Sequence, residues 1–166
     1  MKLAVVDANI FIDLIKLQMM ALLFQIELEI YTSQEIIDQL KTVQFLILNE
    51  FIELGQLKVH LLTEIELIEV ADLVAPRALE LADKTVVWLS LQINAIVISG
   101  DNPLRRFCET KKLEVRGIPW LFERFIDKKL ITQNLSAEKM LHLIQFNGRL
   151  PREECERRIR VWSNPK

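Results

Sequence analysis

Leu3-Ala4-Val5-Val6-Asp7-Ala8-Asn9-Ile10-Phe11-Ile12-Asp13 is an apolar run of strand length that ends in an acid and passes directly into a helical pattern. Further short apolar runs read as strands at Glu29–Tyr31, Leu57–His60, Ala95–Ile98 and Leu113–Val115. The longer segments between them have helical periodicity. Ile10, Leu14, Leu17 and Met20 form one stripe, and Val86, Leu89 and Ile93, with Ala82 nearer the helix start, form another. Strands separated by helices favour a parallel sheet covered on both faces. The expected architecture is α/β, a three-layer α/β/α sandwich with a short parallel sheet, plus C-terminal helices. Residues 1–130 are expected to form the α/β domain, with residues 131–166 as a helical extension packed on it.

Several helix boundaries have a mechanism. Thr32 or Ser33 can cap the helix that carries Ile36, Ile37 and Leu40. Asn102-Pro103 places proline in a first helical turn, with Asn102 or Asp101 as the cap. Pro119 plays the same part for a helix running to Lys129. Ser136 is read as the start of a short amphipathic helix ended by Gly148, and Pro151 as the opening of a last, charge-rich helix.

Composition narrows the function classes. The chain of 166 residues is 51% hydrophobic and carries a formal charge of −2, so nucleic acid would be held only through local basic patches. Four glycines are too few for a turn-rich all-β fold, and the turn after the first strand lacks the glycines of a dinucleotide-binding loop. The longest uncharged stretch, Thr85 to Gly100, is too short and polar to span a bilayer. No cleavable signal pattern opens the chain. Cys108 and Cys155 are isolated, which fits a reduced, cytoplasmic setting with structural thiols. His60 and His142 have no ligand spacing.

The acids placed just past strand ends, or opening a helix, carry the chemistry. Asp7 and Asp101 each follow a strand, and Asp83 lies at the start of a helix. Singly, each has a structural explanation as a helix cap or a partner of a helix N-terminus. Jointly they would be costly, because two carboxylates about 5 Å apart repel by roughly 3 kcal/mol at an effective dielectric of about 20. Such a cluster survives by taking up protons or by binding a hard cation, for which magnesium or manganese suits an all-oxygen ligand set.

These stretches resemble the PIN-domain family of metal-dependent nucleases. Val5-Val6-Asp7-Ala8-Asn9-Ile10-Phe11-Ile12-Asp13 looks like its first motif, Leu81-Ala82-Asp83 through Trp88-Leu89-Ser90-Leu91 like its central helix, and Ile98-Ser99-Gly100-Asp101-Asn102-Pro103-Leu104-Arg105 like its third block. The similarity covers roughly Met1 to Lys129. It implies a Mg²⁺- or Mn²⁺-dependent endoribonuclease in which Asp7, Asp83 and Asp101 hold the ion directly or through water and Asn9 supports them. It also implies an RNA substrate, a homodimer and, for a toxin of a toxin–antitoxin pair, an antitoxin over the acidic cleft.

One motif departs from the family. Where members carry a glutamate before a leucine, this chain has Gln39 before Leu40. Glu35, one helical turn earlier, is the better substitute ligand. Asp38 is rotated by about 100° around the helix. Arg105 and Arg106 are the nearest phosphate-contact residues. The C-terminal arginines at 149, 152, 157, 158 and 160 are interleaved with Glu153, Glu154 and Glu156 and read as a solvated helix. The rival function is a non-catalytic PIN-like module that binds RNA or a protein partner. A haloacid-dehalogenase-type phosphatase fits less well, since it would want an aspartate where Asn9 stands.

Overall fold

The computed structural model describes residues 1–165 and arranges five strands in one parallel sheet. They are β1 (Lys2–Val6), β2 (Leu28–Ser33), β3 (Leu57–His60), β4 (Ile96–Ile98) and β5 (Val115–Arg116), in the spatial order β3-β2-β1-β4-β5. β1 is central, with Val5 opposite Tyr31 of β2 on one side and Val97 of β4 on the other. Ala4, Val5 and Val6 are fully buried, as a strand covered on both faces requires.

Helices flank the sheet: α1 (Ala8–Lys16), α2 (Met20–Leu23), α3 (Gln34–Asp38), α4 (Thr42–Glu53), α5 (Glu64–Asp72), α6 (Leu81–Ile93), α7 (Asn102–Thr110), α8 (Ile118–Asp127), α9 (Gln133–Phe146) and α10 (Arg152–Ser163). The expected α/β architecture is therefore present. α6 packs across β1, β2 and β4, burying Ala82, Val86 and Leu89. α9 and α10 pack on each other and on α8, and Trp162 of α10 stacks on Phe122 of α8 with ring centroids 6.0 Å apart. Among the described residues, no helix is long and apolar enough to cross a membrane.

The chain runs outward from β1 to β3 on one side and then restarts at β4 on the other. This reversal puts a crevice between the carboxyl ends of β1 and β4, the usual ligand position in open α/β sheets. Asp7 and Ser99 are the residues immediately after those two strands.

Local differences from the sequence reading have physical causes. The Ile10–Met20 stripe is buried as expected but is split between two helices. α1 stops where Gln18 turns left-handed at φ 57°, and Met20 belongs to α2. The last strand begins at Val115, because the N–H of Leu113 is spent on the Cys108 carbonyl at the end of α7. α8 ends at Asp127 and not at Lys129, where φ is 57°. α9 starts at Gln133 under a Thr132 cap, not at Ser136, and already ends at Phe146. Ser136 is buried inside that helix and donates its hydroxyl to the Thr132 carbonyl, so a helix-interior serine imitated a cap. Where two caps were open, the structure selects Ser33 and Asp101, which accept from the N–H groups of Ile36 and Leu104. Cys108 and Cys155 are free and buried, and burial pushes their thiols up to about 12 and about 11.

Candidate functional site

Asp7 sits at the sheet's switch point with both carboxylate oxygens engaged. Oδ1 accepts from the Ala8 N–H at 2.7 Å, so the residue does cap α1. Oδ2 accepts from the Asn9 amide and from the Ser99 hydroxyl, each at 2.7 Å. The Asn9 carbonyl oxygen in turn accepts from the Gly100 N–H at 3.0 Å, and the Ser99 hydroxyl oxygen accepts from the Asp101 N–H at 3.1 Å. One network thus fixes the turn after β1 against the turn after β4. Asn9 bonds both to the Asp7 carboxylate and to the Gly100 N–H.

Asp101 caps α7 through one oxygen, Oδ2, which accepts from the Leu104 N–H at 3.0 Å. Asp83 uses Oδ2 to accept from the Glu80 N–H at 2.8 Å at the start of α6. Among the described residues, each leaves Oδ1 without a hydrogen bond. All three acids are close enough to interact. Burial, then the charges of Asp83 and Asp101, push Asp7 up to about 6 against the hydrogen bonds from Ser99 and Ala8. Burial chiefly raises Asp83, with the Asp101 charge adding to it and the Glu80 N–H opposing it.

The second-motif residues fall elsewhere. Gln39 is exposed, one residue beyond the end of α3. Asp38 is exposed as well and accepts from the Gln34 amide at 2.8 Å. Glu35 differs, because its Oε2 is buried and has no hydrogen-bond partner among the described residues. α3 also packs on α6, joined by the Ser33–Thr85 hydroxyl pair at 2.6 Å.

Among the described residues, no group of three or more His, Cys, Asp or Glu side chains, Asp7, Asp83 and Asp101 included, is placed so that it could hold a metal ion by itself. An open site is a different matter. Magnesium keeps several waters and is typically held by one or two carboxylates plus substrate phosphate. The unengaged oxygens of Asp83 and Asp101, beside a buried Asp7 with no cation against it, suit that arrangement.

A cleft of about 690 Å³ opens beside Asn9 and Asp101. Arg105 lines it, whereas Arg106 is exposed and does not. Its opposite wall comes from the loop between α9 and α10, which includes Arg149. That loop is tied to α1 by Asn147, whose amide donates to Asp13 Oδ2 at 2.6 Å. Asp13 is buried, and its functional placement was missed in the sequence. It lies three residues after Ile10 and one before Leu14, on the apolar face of α1, and an acid at that spacing was the available signal.

Burial pushes Asp13 up to about 6 from 3.8, against the hydrogen bond from Asn147 and the charges of Lys16 and Arg149. The folded protein therefore binds this proton more tightly than the unfolded chain, and the group costs stability once pH rises through about 4 to 6. Asp13→Asn is expected to raise unfolding free energy by about 1–3 kcal/mol at pH 8. The gain should vanish near pH 4, and urea titrations at the two pH values measure both.

The parallel sheet flanked by helices is a nuclease-like α/β fold. A family model described as a PIN domain matches residues 3–164, and the chain belongs to that family. The match runs through α9 and α10, beyond the Lys129 limit read from the motifs. A search of curated proteins gave no match.

Proposed function

We propose that this PIN-domain protein is a divalent-cation-dependent endoribonuclease working at the crevice between β1 and β4. The observation that carries the reading is geometric: Asp7 is buried at the switch point, and Asp83 and Asp101 each leave one carboxylate oxygen without a hydrogen bond among the described residues. Asp83 and Asp101 would hold a magnesium or manganese ion directly, and Asp7 through water. When bound, such an ion polarises the phosphodiester and lowers the pKa of an attacking water. The chain's own part is positional: Asn9 and Ser99 hold the Asp7 carboxylate, and Ser99 also anchors the Asp101 backbone. Glu35, with its buried, unpartnered oxygen, is a better additional acid than Asp38.

The test is cleavage of a mixed structured and single-stranded RNA pool with manganese, with and without chelator. Chelator-sensitive cutting supports the reading, and absence of cutting by folded protein counts against it. Glu35→Gln is expected to weaken manganese binding several-fold, measured by calorimetry. Gln39→Glu, at an exposed position, should change it less.

The second reading is a PIN module that binds RNA or a protein without cutting. It draws on Gln39 and on the full hydrogen bonding of both Asp7 oxygens. RNA binding with no metal-dependent cleavage would favour it.

A homodimer is part of the proposal. Val43, Leu46 and Leu54 in and just after α4, and Ile65 and Ile68 on α5, are each at least 60% exposed, an unusual apolar load for helices beside an edge strand. An antitoxin segment, if this is a toxin, would compete with RNA for the acidic crevice.

A further inference from the structure

The arginines around the cleft are not equivalent. Arg158 is held between Glu123 and Glu154, and Arg116 pairs with Glu114 at 2.9 Å. Arg105 and Arg149 have no carboxylate partner among the described residues. Arg105 donates only to the Val115 carbonyl, at 3.4 Å. A guanidinium has five N–H donors, so most of the hydrogen-bonding capacity of these two remains available. Both line the cleft that Asp101 also lines, one from α7 and the other from the α9–α10 loop.

The same cleft contains a flat aromatic surface. Trp120 lines it, with the guanidinium groups of Arg116, also a lining residue, and Arg124 at 5.9 and 5.7 Å from its ring centroid, so a base resting there takes the place of one of them. Single-stranded RNA is held by this combination of phosphate-binding cations and planar groups on which an unstacked base rests. A volume of about 690 Å³ is within the range of pockets that enclose small ligands and leaves room for a nucleotide with its flanking phosphates.

We infer that this cleft is a subsite for single-stranded RNA, in which Arg149 and Arg105 take the phosphates next to the scissile one and a base stacks at Trp120. The inference rests on the nuclease reading for the place of the scissile phosphate, and it assigns the C-terminal segment a direct part in holding substrate. The loop hydrogen bond from Asn147 to Asp13 positions that wall. A paired base is stacked inside its helix and not free to rest on Trp120, so the subsite favours unpaired strands.

Anisotropy of a short fluorescein-labelled oligouridylate, in chelator so that nothing is cut, tests this directly. Arg149→Ala is expected to weaken binding about 5- to 10-fold and to lower the slope of log affinity against log salt by about 1. Arg149→Glu should weaken it further. Trp120→Ala should cost about 5- to 100-fold with little change in salt slope. Arg157→Ala, on an exposed part of α10 outside the cleft, should bind as the wild type does. A labelled hairpin without overhang should bind the wild type more weakly than the open strand.

Wild-type affinity in both Arg149→Ala and Arg149→Glu would overturn the subsite, as would an equal loss in Arg157→Ala, which signals diffuse charge attraction. Arg149-dependent capture of polyglutamate without RNA binding would also overturn it and assign the cleft to an acidic protein segment. The nuclease reading can fail separately. Cleft-dependent binding by a protein that never cuts RNA would leave the subsite standing, and cutting with unchanged KM in Arg149→Ala and Trp120→Ala would do the reverse.

Discussion

Asp101→Asn is expected to lower manganese-dependent RNA cleavage by at least about 10²-fold, since loss of a charged ligand removes several kcal/mol of electrostatic stabilisation. The substitution separates the observed cap from the proposed ligand role. As a cap it accepts one backbone N–H through Oδ2, and asparagine caps helices about as well as aspartate. α7 should therefore remain intact, with a melting temperature within a few degrees of the wild type. The charge beside Asp83 and Asp7 is lost, so manganese affinity should fall together with turnover. Single-turnover cleavage and calorimetry on the same preparation read both effects. Unchanged cleavage would remove Asp101 from the reaction and reduce it to a structural cap. Reduced cleavage with unchanged manganese affinity would mean that Asp101 acts on substrate and not on the ion.

The largest stability effect is expected at the other end of the chain. Trp162→Ala should lower unfolding free energy by about 3–5 kcal/mol, the usual range for truncating a large buried aromatic side chain. Trp162 is 6% exposed and stacks on the fully buried Phe122, so its loss leaves a cavity where α10 meets α8. If α9 and α10 belong to one cooperative unit with the sheet, the denaturation curve should shift as a single transition. A new early transition with an unshifted main one would instead describe an extension that unfolds by itself. RNA affinity gives a second readout. Arg149 lies in the loop that α10 completes, so partial release of the helix should weaken binding even where the sheet remains folded.

The sheet was legible because its signal is local. β1 and β4 are built on runs of consecutive apolar residues, and a fully buried parallel strand needs little else. The acids at the strand ends were legible for a related reason: Asp7 and Asp101 stand at the points where an apolar run stops. What remained hidden depends on pairings between distant residues. Nothing near Asp13 in the chain announces Asn147, yet their hydrogen bond sets one wall of the cleft. Ser99 lies within the Ile98–Arg105 motif, but its role as the link between Asp7 and the Asp101 backbone needs the β1–β4 register. The C-terminal arginines were read as a solvated helix. That description fits Arg152, which pairs with Glu156 within α10, and the exposed Arg157 and Arg160. It does not fit Arg149, which precedes the helix and faces the cleft. Helix boundaries failed where a side chain imitated a terminus, as Ser136 did.

The central position of β1 also governs how the chain must fold. Its first partner, β2, follows soon after it, but its second, β4, is separated from it by about the length of chain that closes a large loop. Until β4 arrives, Ala4, Val5 and Val6 present an apolar strand edge of the sort that recruits other chains. Parallel pairings of such long separation form slowly. A half-assembled sheet of β1, β2 and β3 is therefore the species most exposed to aggregation during synthesis and refolding. It also lacks the Ser99 and Asp101 side of the crevice, so the step that protects the sheet edge is the same step that assembles the acidic site.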